Sequence, residues 1–427
     1  MKGINKYKYY ILCIMICAYF AIQQSMAYLS KVQNLKQKEL FIIKINNKNK
    51  QVFLKQNQVK DTIFVLDKKK YKISYSINHQ LQKFIKRRIK RYRPDYSAVV
   101  VIENKTGKII SAIDYARYNN KFSKNLVFSN THPSASLFKI ITSADLLESA
   151  RINIKDRFFY QGKGTTLYKW QLKNKKTKWS RYQSLQSAFA ISNNVVFGKA
   201  AIQNLNSNSI FTMASRFGFN NNLMTDVSLP KSKFPMAINQ YNLAELATGF
   251  NKQTTIAPVH AAVLSSVIAN DGYLISPQII NSVTRFDNKK SVINYEQTKR
   301  RVISKQTTNS LQKMMHMTIE RGTARNSFNK LRNSLRKNLY IGGKTGSITG
   351  GIPYGKRDWF TAFAKPYQDS GISIAVMNIN KEKWYIRSSE LAQQIIEFYF
   401  TKINKLNSNI NAMGHLTKNK VDTKTRL

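Results

Sequence analysis

The chain is poor in cysteine, in acidic residues and in long hydrophobic runs. Its two cysteines among 427 residues, Cys13 and Cys17, share one hydrophobic stretch near the N-terminus. A disulfide framework in the rest of the chain is therefore excluded. The chain has only 21 acidic residues against 70 basic ones, which gives a formal charge of +49 at pH 7. A hydrophobic fraction of 42% with 11% aromatic residues nevertheless predicts a folded globular protein rather than a disordered one.

The positive charge does not by itself identify a ligand. A strongly basic chain can bind nucleic acid, an anionic membrane surface or another anionic polymer. The basic residues are spread along the whole chain, however, and we find no nucleic-acid-binding motif. We therefore expect no nucleic-acid partner, and we attribute much of the charge to solubility and to a composition biased towards Lys, Asn and Ile.

Residues 1–28 have the pattern of a membrane-targeting segment. Lys2, Lys6 and Lys8 precede the apolar run 9–22, and Ser-Met-Ala at 25–27 offers a small-residue cleavage site. This run is short for a bilayer span, which needs about 20 residues. The pattern fits either an uncleaved signal anchor or a cleaved signal peptide. Both would place the remainder of the chain outside the cytoplasm.

Short apolar runs bounded by polar residues predict strands before and after a helical middle. Residues 29–71 are interpreted as a short β-rich linker, with strands at 40–45, 51–54 and 62–66. A hairpin is predicted at 98–113, with Gly107 able to adopt positive φ in its turn. Strands at 339–347, 359–364 and 372–377, then a helix at 388–402, follow near the C-terminus. This pattern predicts an antiparallel sheet covered by helices.

The stretch 131–150 is predicted to contain a buried helix that carries a reactive serine, with Pro133 just ahead of the helix. Ser136 lies in its first turn and Lys139 three residues later, so the two side chains share a face. The helix N-terminus adds a partial positive charge beside the hydroxyl. Other Ser-x-x-Lys pairs, such as Ser310 with Lys313, lie in polar, basic surroundings that predict solvated positions.

Two further stretches place polar residues next to apolar segments. In 184–201, apolar residues at helical spacing flank a break at Ser192-Asn193-Asn194, which could direct a hydroxyl and an amide into a cleft. In 339–347, Lys344-Thr345-Gly346 lies on an apolar strand, where its glycines allow another backbone to approach closely. The same three residue types at 105–107 are interpreted as the hairpin turn only.

These three stretches, in this order, resemble the three motifs of the penicillin-binding protein and serine β-lactamase superfamily. Gly322-Thr323-Ala324 and Asp358-Trp359-Phe360 resemble further family segments. The resemblance covers about 72–404 and leaves 405–427 as a polar basic tail. It implies an α/β (α+β) fold of the β-lactamase and transpeptidase type. That fold would comprise an antiparallel five-stranded sheet covered by helices, an all-helical subdomain and an N-terminal membrane segment.

The resemblance also implies catalytic roles. Ser136 would attack the carbonyl of a D-Ala-D-Ala stem peptide, and Lys139 would accept its proton. Lys139 must then be neutral part of the time, which burial and the nearby charge of Lys344 would favour. Ser192 would relay the proton to the leaving amine. No metal or organic cofactor is implied.

The substrate-binding roles follow in the same way. Asn194 would bind the substrate amide and Thr345 its carboxylate, with Lys344 supplying positive potential and Gly346 permitting close approach. The backbone N–H groups of Ser136 and Ser347 would form the oxyanion hole.

Three functions remain open at this point. The first is a peptidoglycan D,D-transpeptidase or D,D-carboxypeptidase that penicillin and other β-lactams acylate. The second is a β-lactamase of the class D type, and the third is a non-catalytic penicillin-binding sensor or scaffold. The first implies a catalytic domain on the periplasmic side of a bacterial cytoplasmic membrane, with a glycan polymerase as a candidate partner there.

Overall fold

The structure, a computed structural model, describes residues 39–45, 48–54, 62–66, 68–119, 125–287 and 298–404. The predicted membrane-targeting segment 1–28 and the predicted tail 405–427 lie outside these ranges. Within them, no helix has both the length and the apolar composition that crossing a bilayer requires.

The strands are, in chain order, β1 Glu39–Ile45, β2 Lys48–Leu54, β3 Thr62–Leu66, β4 Lys69–Tyr75, β5 Tyr96–Glu103, β6 Ile109–Ala116, β7 His132–Pro133, β8 Arg157–Tyr160, β9 Arg181–Ser184, β10 Val227–Ser228, β11 Thr255–Ile256, β12 Tyr273–Ile275, β13 Ile280–Arg285, β14 Lys299–Arg301, β15 Leu339–Thr349, β16 Lys356–Pro366 and β17 Ile372–Asn380. The α-helices are α1 His79–Tyr92, α2 Lys139–Glu148, α3 Lys169–Leu172, α4 Leu185–Ala190, α5 Asn194–Asn204, α6 Ser207–Arg216, α7 Gln240–Thr248, α8 Pro258–Ala269, α9 Lys305–Glu320, α10 Arg325–Phe328, α11 Asn333–Asn338 and α12 Ser388–Phe398.

A five-stranded antiparallel sheet organises the fold, in the order β15-β16-β17-β5-β6. The predicted hairpin and the three predicted C-terminal strands are therefore confirmed. Strand β17 joins the two groups by pairing with β5, so distant parts of the chain form one sheet. Strand β15 lies at the edge, which leaves one side of Lys344-Thr345-Gly346 open.

Both faces of the sheet are covered, as the alternation along β5 shows. Ala98 and Val100 belong to one hydrophobic cluster, which includes α8, whereas Val99 and Val101 belong to a second, which includes α1 and α12. Side chains of a strand alternate between faces, so an almost wholly apolar β5 indicates burial on both sides.

The strands predicted in the 29–71 linker are confirmed, and they pair with later parts of the chain. Strand β4 pairs with β3 and with β13, and β1 pairs with β2 and with β10. Because β4 runs across position 71, it links the predicted linker directly to the domain that follows.

The helices between β6 and β12 form a second layer beside the sheet, together with the two-stranded β8–β9 hairpin. Phe138 anchors the start of α2 in this layer, because its ring stacks on Phe234 at 4.4 Å and meets Phe219 edge-on at 5.6 Å. On the sheet side, the indole N–H of Trp359 donates to the carbonyl of Pro133 at 3.0 Å. These contacts fix the segment that carries Ser136 between the two layers.

Candidate active site

Ser136 lies in a single turn of 3-10 helix, Ala135–Phe138, directly before α2. Ser136 therefore lies in the first helical turn and Pro133 just ahead of it, as predicted, although this first turn is 3-10 rather than α-helical. The chain is still extended at His132–Pro133, where β7 pairs with β11, and the Ser134 N–H donates to the carbonyl of Thr254. Ala135 then adopts a φ of +49°, and this backbone reversal turns the chain into the helix.

Lys139 connects the turn that carries Ser136 with the start of α5 and the end of α7. Its amine nitrogen lies 2.8 Å from the hydroxyl oxygen of Ser136, 2.7 Å from Oδ1 of Asn194 and 2.8 Å from the backbone carbonyl oxygen of Thr248. The side chain is fully buried. The predicted proximity of Ser136 and Lys139 is confirmed, and so is the burial of the helix around Lys139.

The chemistry of these partners determines where the lone pair of a neutral Lys139 points. A neutral amine has two N–H donors and one lone pair. Oδ1 of Asn194 and the Thr248 carbonyl can only accept, so they take both donors. The lone pair then faces the Ser136 hydroxyl, which can donate its proton. This geometry is the one that a general base for Ser136 requires.

Two lysines share the interior of the site, and neither has an ordinary pKa. Burial, followed by the nearby charge of Lys344, lowers the pKa of Lys139 well below its usual value. Burial lowers the pKa of Lys344 to about 7. Both groups lose water when the chain folds, and two close cations disfavour each other's charged form. These directions agree with the neutral Lys139 that the motif resemblance implied.

The predicted break between two helical segments is confirmed, since Ser192 and Asn193 lie between α4 and α5 and Asn194 begins α5. Ser192 has a φ of +61°, and the side chain of Asn193 accepts from the N–H of Val196 and so caps α5. Both polar atoms of the Asn194 side chain have internal partners, since Oδ1 accepts from Lys139 and Nδ2 donates to the carbonyl of Thr165 at 3.0 Å. Asn194 thus orients the amine of Lys139 directly, whereas its predicted contact with substrate stays a prediction.

Strand β15 forms the opposite wall and passes close to the nucleophile. A methyl group placed on Gly346 would lie 3.3 Å from the backbone nitrogen of Ser136, so a larger residue would move the strand away. The close approach expected for the glycines of this motif is therefore confirmed. Lys344 is fully buried, and its amine donates to the carbonyl of Thr345 at 3.0 Å. The hydroxyl of Thr345 lies 2.6 Å from that of Thr323.

The predicted residues converge on one cleft of about 570 Å³. It is lined by Ser136, Thr165, Ile191, Ser192, Asn194, Gly249, Phe250, Thr323, Thr345, Gly346, Ser347, Lys356, Asp358, Trp384, Arg387 and Ser389. Lys139 and Lys344 are fully buried and are not part of this lining. Lys105, from the other Lys-Thr-Gly sequence, lies instead in the turn between β5 and β6, where Gly107 has a φ of +69°.

Sequence reasoning missed the contribution of α7. This helix ends at Thr248, and Gly249 follows in the left-handed conformation at a φ of +70°. A methyl group on Gly249 would come within 1.8 Å of the carbonyl oxygen of Ala135. Only glycine tolerates both conditions. The one available signal was a glycine directly after an alanine-rich helix, which predicts a helix end but not its place beside Lys139.

Comparison with known proteins identifies the family of this domain. The profile of the penicillin binding protein transpeptidase domain matches residues 97–397. Stage V sporulation protein D of Bacillus subtilis (strain 168) is 27% identical over 277 residues, which are 60% of this chain and 40% of that protein. This chain therefore spans well under two thirds of the length of that relative.

Solved structures agree on the fold. The penicillin G acyl-enzyme complex of penicillin-binding protein A from M. tuberculosis has a TM-score of 0.59 and 20% identity, and covers 76% of this chain and 78% of that one. The D,D-transpeptidase domain of the peptidoglycan glycosyltransferase from Eggerthella lenta has a TM-score of 0.63 and 18% identity, and covers 86% and 99%. The site geometry and the profile match together show that this chain belongs to the penicillin-binding protein transpeptidase domain family.

Proposed function

We propose that the chain is a serine-type D,D-transpeptidase or D,D-carboxypeptidase that processes D-Ala-D-Ala stem peptides of peptidoglycan through an acyl-enzyme on Ser136. The observation that carries this proposal is the buried Lys139 amine nitrogen, which lies 2.8 Å from the Ser136 hydroxyl oxygen and whose other two contacts are acceptors only. The names of the matched relatives describe transpeptidase domains and β-lactam acyl-enzymes, which is consistent with the same chemistry here.

The first half-reaction forms an ester between Ser136 and the penultimate D-Ala. Ser136 Oγ attacks the carbonyl carbon while its proton moves to Lys139. The backbone N–H groups of Ser136 and Ser347 bind the negative oxygen of the tetrahedral intermediate. The C–N bond then breaks, and the leaving D-Ala amine receives the proton through Ser192. Thr345 and Lys344 hold the carboxylate of the departing D-Ala.

The second half-reaction regenerates Ser136. An acceptor amine attacks the ester in transpeptidation, and water attacks it in carboxypeptidation. Each acceptor loses one proton to Lys139, by way of Ser192, and the Ser136 oxygen regains one. Both reactions use the same residues, so product analysis must distinguish them.

The cleft favours a long-lived penicilloyl-enzyme over β-lactamase activity. Hydrolysis of the ester needs a base to activate water. Among the cleft-lining residues of the described chain, Asp358 is the one carboxylate, and it accepts a hydrogen bond from the N–H of Ser388 at 2.6 Å. Class D enzymes use a carboxylated lysine, whereas all three positions around the Lys139 amine are occupied. The intact site also argues against a non-catalytic sensor or scaffold.

The lifetime of the penicilloyl adduct distinguishes a long-lived acyl-enzyme from β-lactamase activity. The protein is acylated with penicillin, free drug is removed, and the intact mass is followed for an hour. We expect the adduct to persist for many minutes. Rapid recovery of unmodified protein with steady drug turnover would favour a β-lactamase.

The cellular setting is proposed from residues 1–28 and from the family. We propose that this segment anchors or exports the chain, so that the catalytic domain faces the periplasmic side of the cytoplasmic membrane. A glycan polymerase in that membrane would supply the strands to be cross-linked.

The proposed nucleophile is tested by labelling with fluorescent penicillin. Ser136→Ala should abolish labelling, whereas Ser310→Ala should retain it. Ser310 is a matched control because it precedes Lys313 by the same spacing on α9. Labelling that survives Ser136→Ala would refute the assignment. Formation of dimeric muropeptides from stem-peptide substrates would then identify a transpeptidase, and release of D-Ala alone a carboxypeptidase.

A further inference from the structure

The segment 157–184 forms a basic-aromatic surface that the acylation chemistry does not use. It contains eight basic residues and no acidic residue. All eight are exposed, and none of them forms an ion pair within the described part of the chain. Four of its aromatic side chains are 48 to 74% exposed, namely Tyr168, Trp170, Trp179 and Tyr182.

Hydrogen bonds hold the two loops of this surface, on either side of α3, in one arrangement. The side-chain amide of Gln161 donates to the carbonyl of Lys175 and to the hydroxyl of Ser180, both at 2.8 Å. The guanidinium of Arg181 donates to the carbonyl of Gly162 at 2.6 Å. The exposed rings therefore lie on a backbone that its own contacts fix, as binding without a large loss of conformational entropy requires.

Two of the exposed rings lie close to the rim of the catalytic cleft. Tyr168 and Trp170 stack with ring centroids 6.5 Å apart and planes 11° apart. The Trp170 ring fills the space beside Gly162, where an added methyl group would come within 2.8 Å of it. Thr165, three positions before Tyr168, lines the cleft, and its carbonyl accepts from the Asn194 side chain. The basic-aromatic surface is therefore continuous with the cleft.

Lysine side chains accompany the other two exposed rings. The Lys178 amine lies 5.3 Å from the centre of the Trp179 ring, and the Lys176 amine lies 5.6 Å from that of Tyr182. An aromatic face binds C–H groups, and a lysine beside it binds a carboxylate. A ligand that satisfies both carries saturated rings and negative charges along one polymer.

The substrate of the proposed function has this chemistry. A peptidoglycan strand is a chain of sugar rings, and its unreacted stem peptides end in carboxylates. A stem peptide that reacts at Ser136 stays joined to its strand, so the strand must pass over the rim of the cleft. An anionic bilayer also attracts lysine and tryptophan, but a bilayer on this surface would cover the rim that the stem peptide crosses.

We propose that the basic-aromatic surface binds the glycan strand of peptidoglycan outside the cleft while a stem peptide of that strand reacts at Ser136. Trp170 and Trp179 contact sugar rings, and the lysines of the loop after α3 contact stem-peptide carboxylates. The choice of this ligand rests on the proposed function. The surface raises the affinity for polymeric substrate and leaves the reaction with small molecules such as penicillin unchanged.

The test measures co-sedimentation of the full-length penicilloyl-protein with purified peptidoglycan sacculi from which attached phosphate polymers were removed. Penicillin occupies Ser136, so the binding that remains does not depend on a free nucleophile. Trp179→Ala should raise the dissociation constant roughly fivefold, the effect of losing one aromatic contact. Tyr367→Ala is the matched control, because Tyr367 is also 74% exposed but lies outside this surface and outside the cleft lining.

A charge variant tests the contribution of the lysines. It replaces three exposed lysines of the loop after α3, namely by Lys175→Gln, Lys176→Gln and Lys178→Gln. Its matched control removes the same charge from exposed positions of α1, namely by Lys83→Gln, Arg87→Gln and Arg91→Gln. The first variant should bind sacculi more weakly and with less dependence on salt, and the control should bind like the parent. Fluorescent penicillin should label both at the parental rate.

The outcomes separate the surface from the catalytic assignment. Normally labelled protein that does not co-sediment, or that binds equally well in Trp179→Ala and in the charge variant, would overturn the surface alone. Binding that disappears once phosphate polymers are removed would identify a different anionic polymer and overturn the choice of ligand. A Trp179→Ala defect confined to phosphatidylglycerol vesicles would identify a membrane surface instead. Protein that penicillin does not label would refute the proposed function, and this choice of ligand with it.

Discussion

Lys344→Met should make the protein more stable while removing most of its acylation activity. Lys344 is fully buried, and its amine donates one hydrogen bond to the Thr345 carbonyl and lies 5.3 Å from the centre of the Phe189 ring. Burial lowers its pKa from 10.5 to about 7. The folded protein thus holds this amine in a place that disfavours its charge, and methionine has a similar shape without the charge.

The size and sign of the effect follow from this pKa. Between pH 7 and 10.5, Lys344 carries a proton in the unfolded chain but not in the folded chain. The destabilisation caused by burying the charged amine is therefore complete below pH 7 and disappears as the pH rises to 10.5. A pKa shift from 10.5 to about 7 means that below pH 7 the charged Lys344 destabilises the folded protein by at most about 5 kcal/mol. Loss of one hydrogen bond offsets about 1 kcal/mol of the gain. We expect a net gain of roughly 2 to 4 kcal/mol at pH 6.

Urea denaturation of the full-length protein and of Lys344→Met at pH 6 and at pH 10 measures this difference. The stability advantage of the variant should be largest at pH 6 and small at pH 10. Penicillin acylation of the same variant should slow by orders of magnitude, because a charge in a desolvated site contributes several kcal/mol to transition-state binding. A variant that is less stable than the parent protein at pH 6 would refute the argument that Lys344 is held at a cost to folding.

Three other changes test separate parts of the site. Asn194→Asp places a carboxylate next to the Lys139 amine and should raise its pKa, so acylation should slow at neutral pH and recover as the pH rises. Asn193→Asp is its control, since aspartate also caps a helix, and it should leave the pH–rate profile in place. Gly249→Ala should lower the midpoint of thermal unfolding and slow acylation, because its methyl group overlaps the Ala135 carbonyl; a variant as stable and as active as the parent would contradict this role. Lys105→Ala should leave the acylation rate nearly unchanged, in contrast to Lys344→Met. Similar losses of acylation rate in the two variants would mean that the wrong Lys-Thr-Gly sequence was assigned to the hairpin turn.

The sequence predicted the parts of the site that depend on local pattern. Ser136 and Lys139 are three residues apart at the start of a helix, so their contact follows from helical geometry. The break at Ser192 is visible because polar residues interrupt an apolar helical pattern. Lys344 could be separated from Lys105 because apolar residues precede it and predict a buried strand, whereas a hairpin turn surrounds Lys105.

The remaining features depend on contacts between distant segments, which no local pattern encodes. The Thr248 carbonyl reaches Lys139 from 109 positions away, and Asn194 from 55 positions away. A backbone carbonyl carries no sequence signature. The contribution of Lys356 and Trp384 to the cleft lining was likewise missed, because these residues come from different parts of the chain and meet only once β16 and β17 are paired.

The pairing of His132–Pro133 with β11, just before the helix that was predicted to follow Pro133, was missed for a related reason. The conformation of this segment is imposed by β11 and by the Trp359 indole, which hold His132–Pro133 as a strand and leave only one turn before α2. Local propensity could not reveal this, since tertiary contacts override it here.

The central claim is that Ser136 is the nucleophile, and mapping the penicillin adduct tests it most directly. The full-length protein is acylated with penicillin and digested, and the modified peptide is sequenced by mass spectrometry. We predict a single penicilloyl adduct on Ser136, present after acylation at neutral pH and absent from protein that was denatured before exposure to the drug. An adduct on another serine, such as Ser310 or Ser192, or the same yield from denatured protein, would contradict the account.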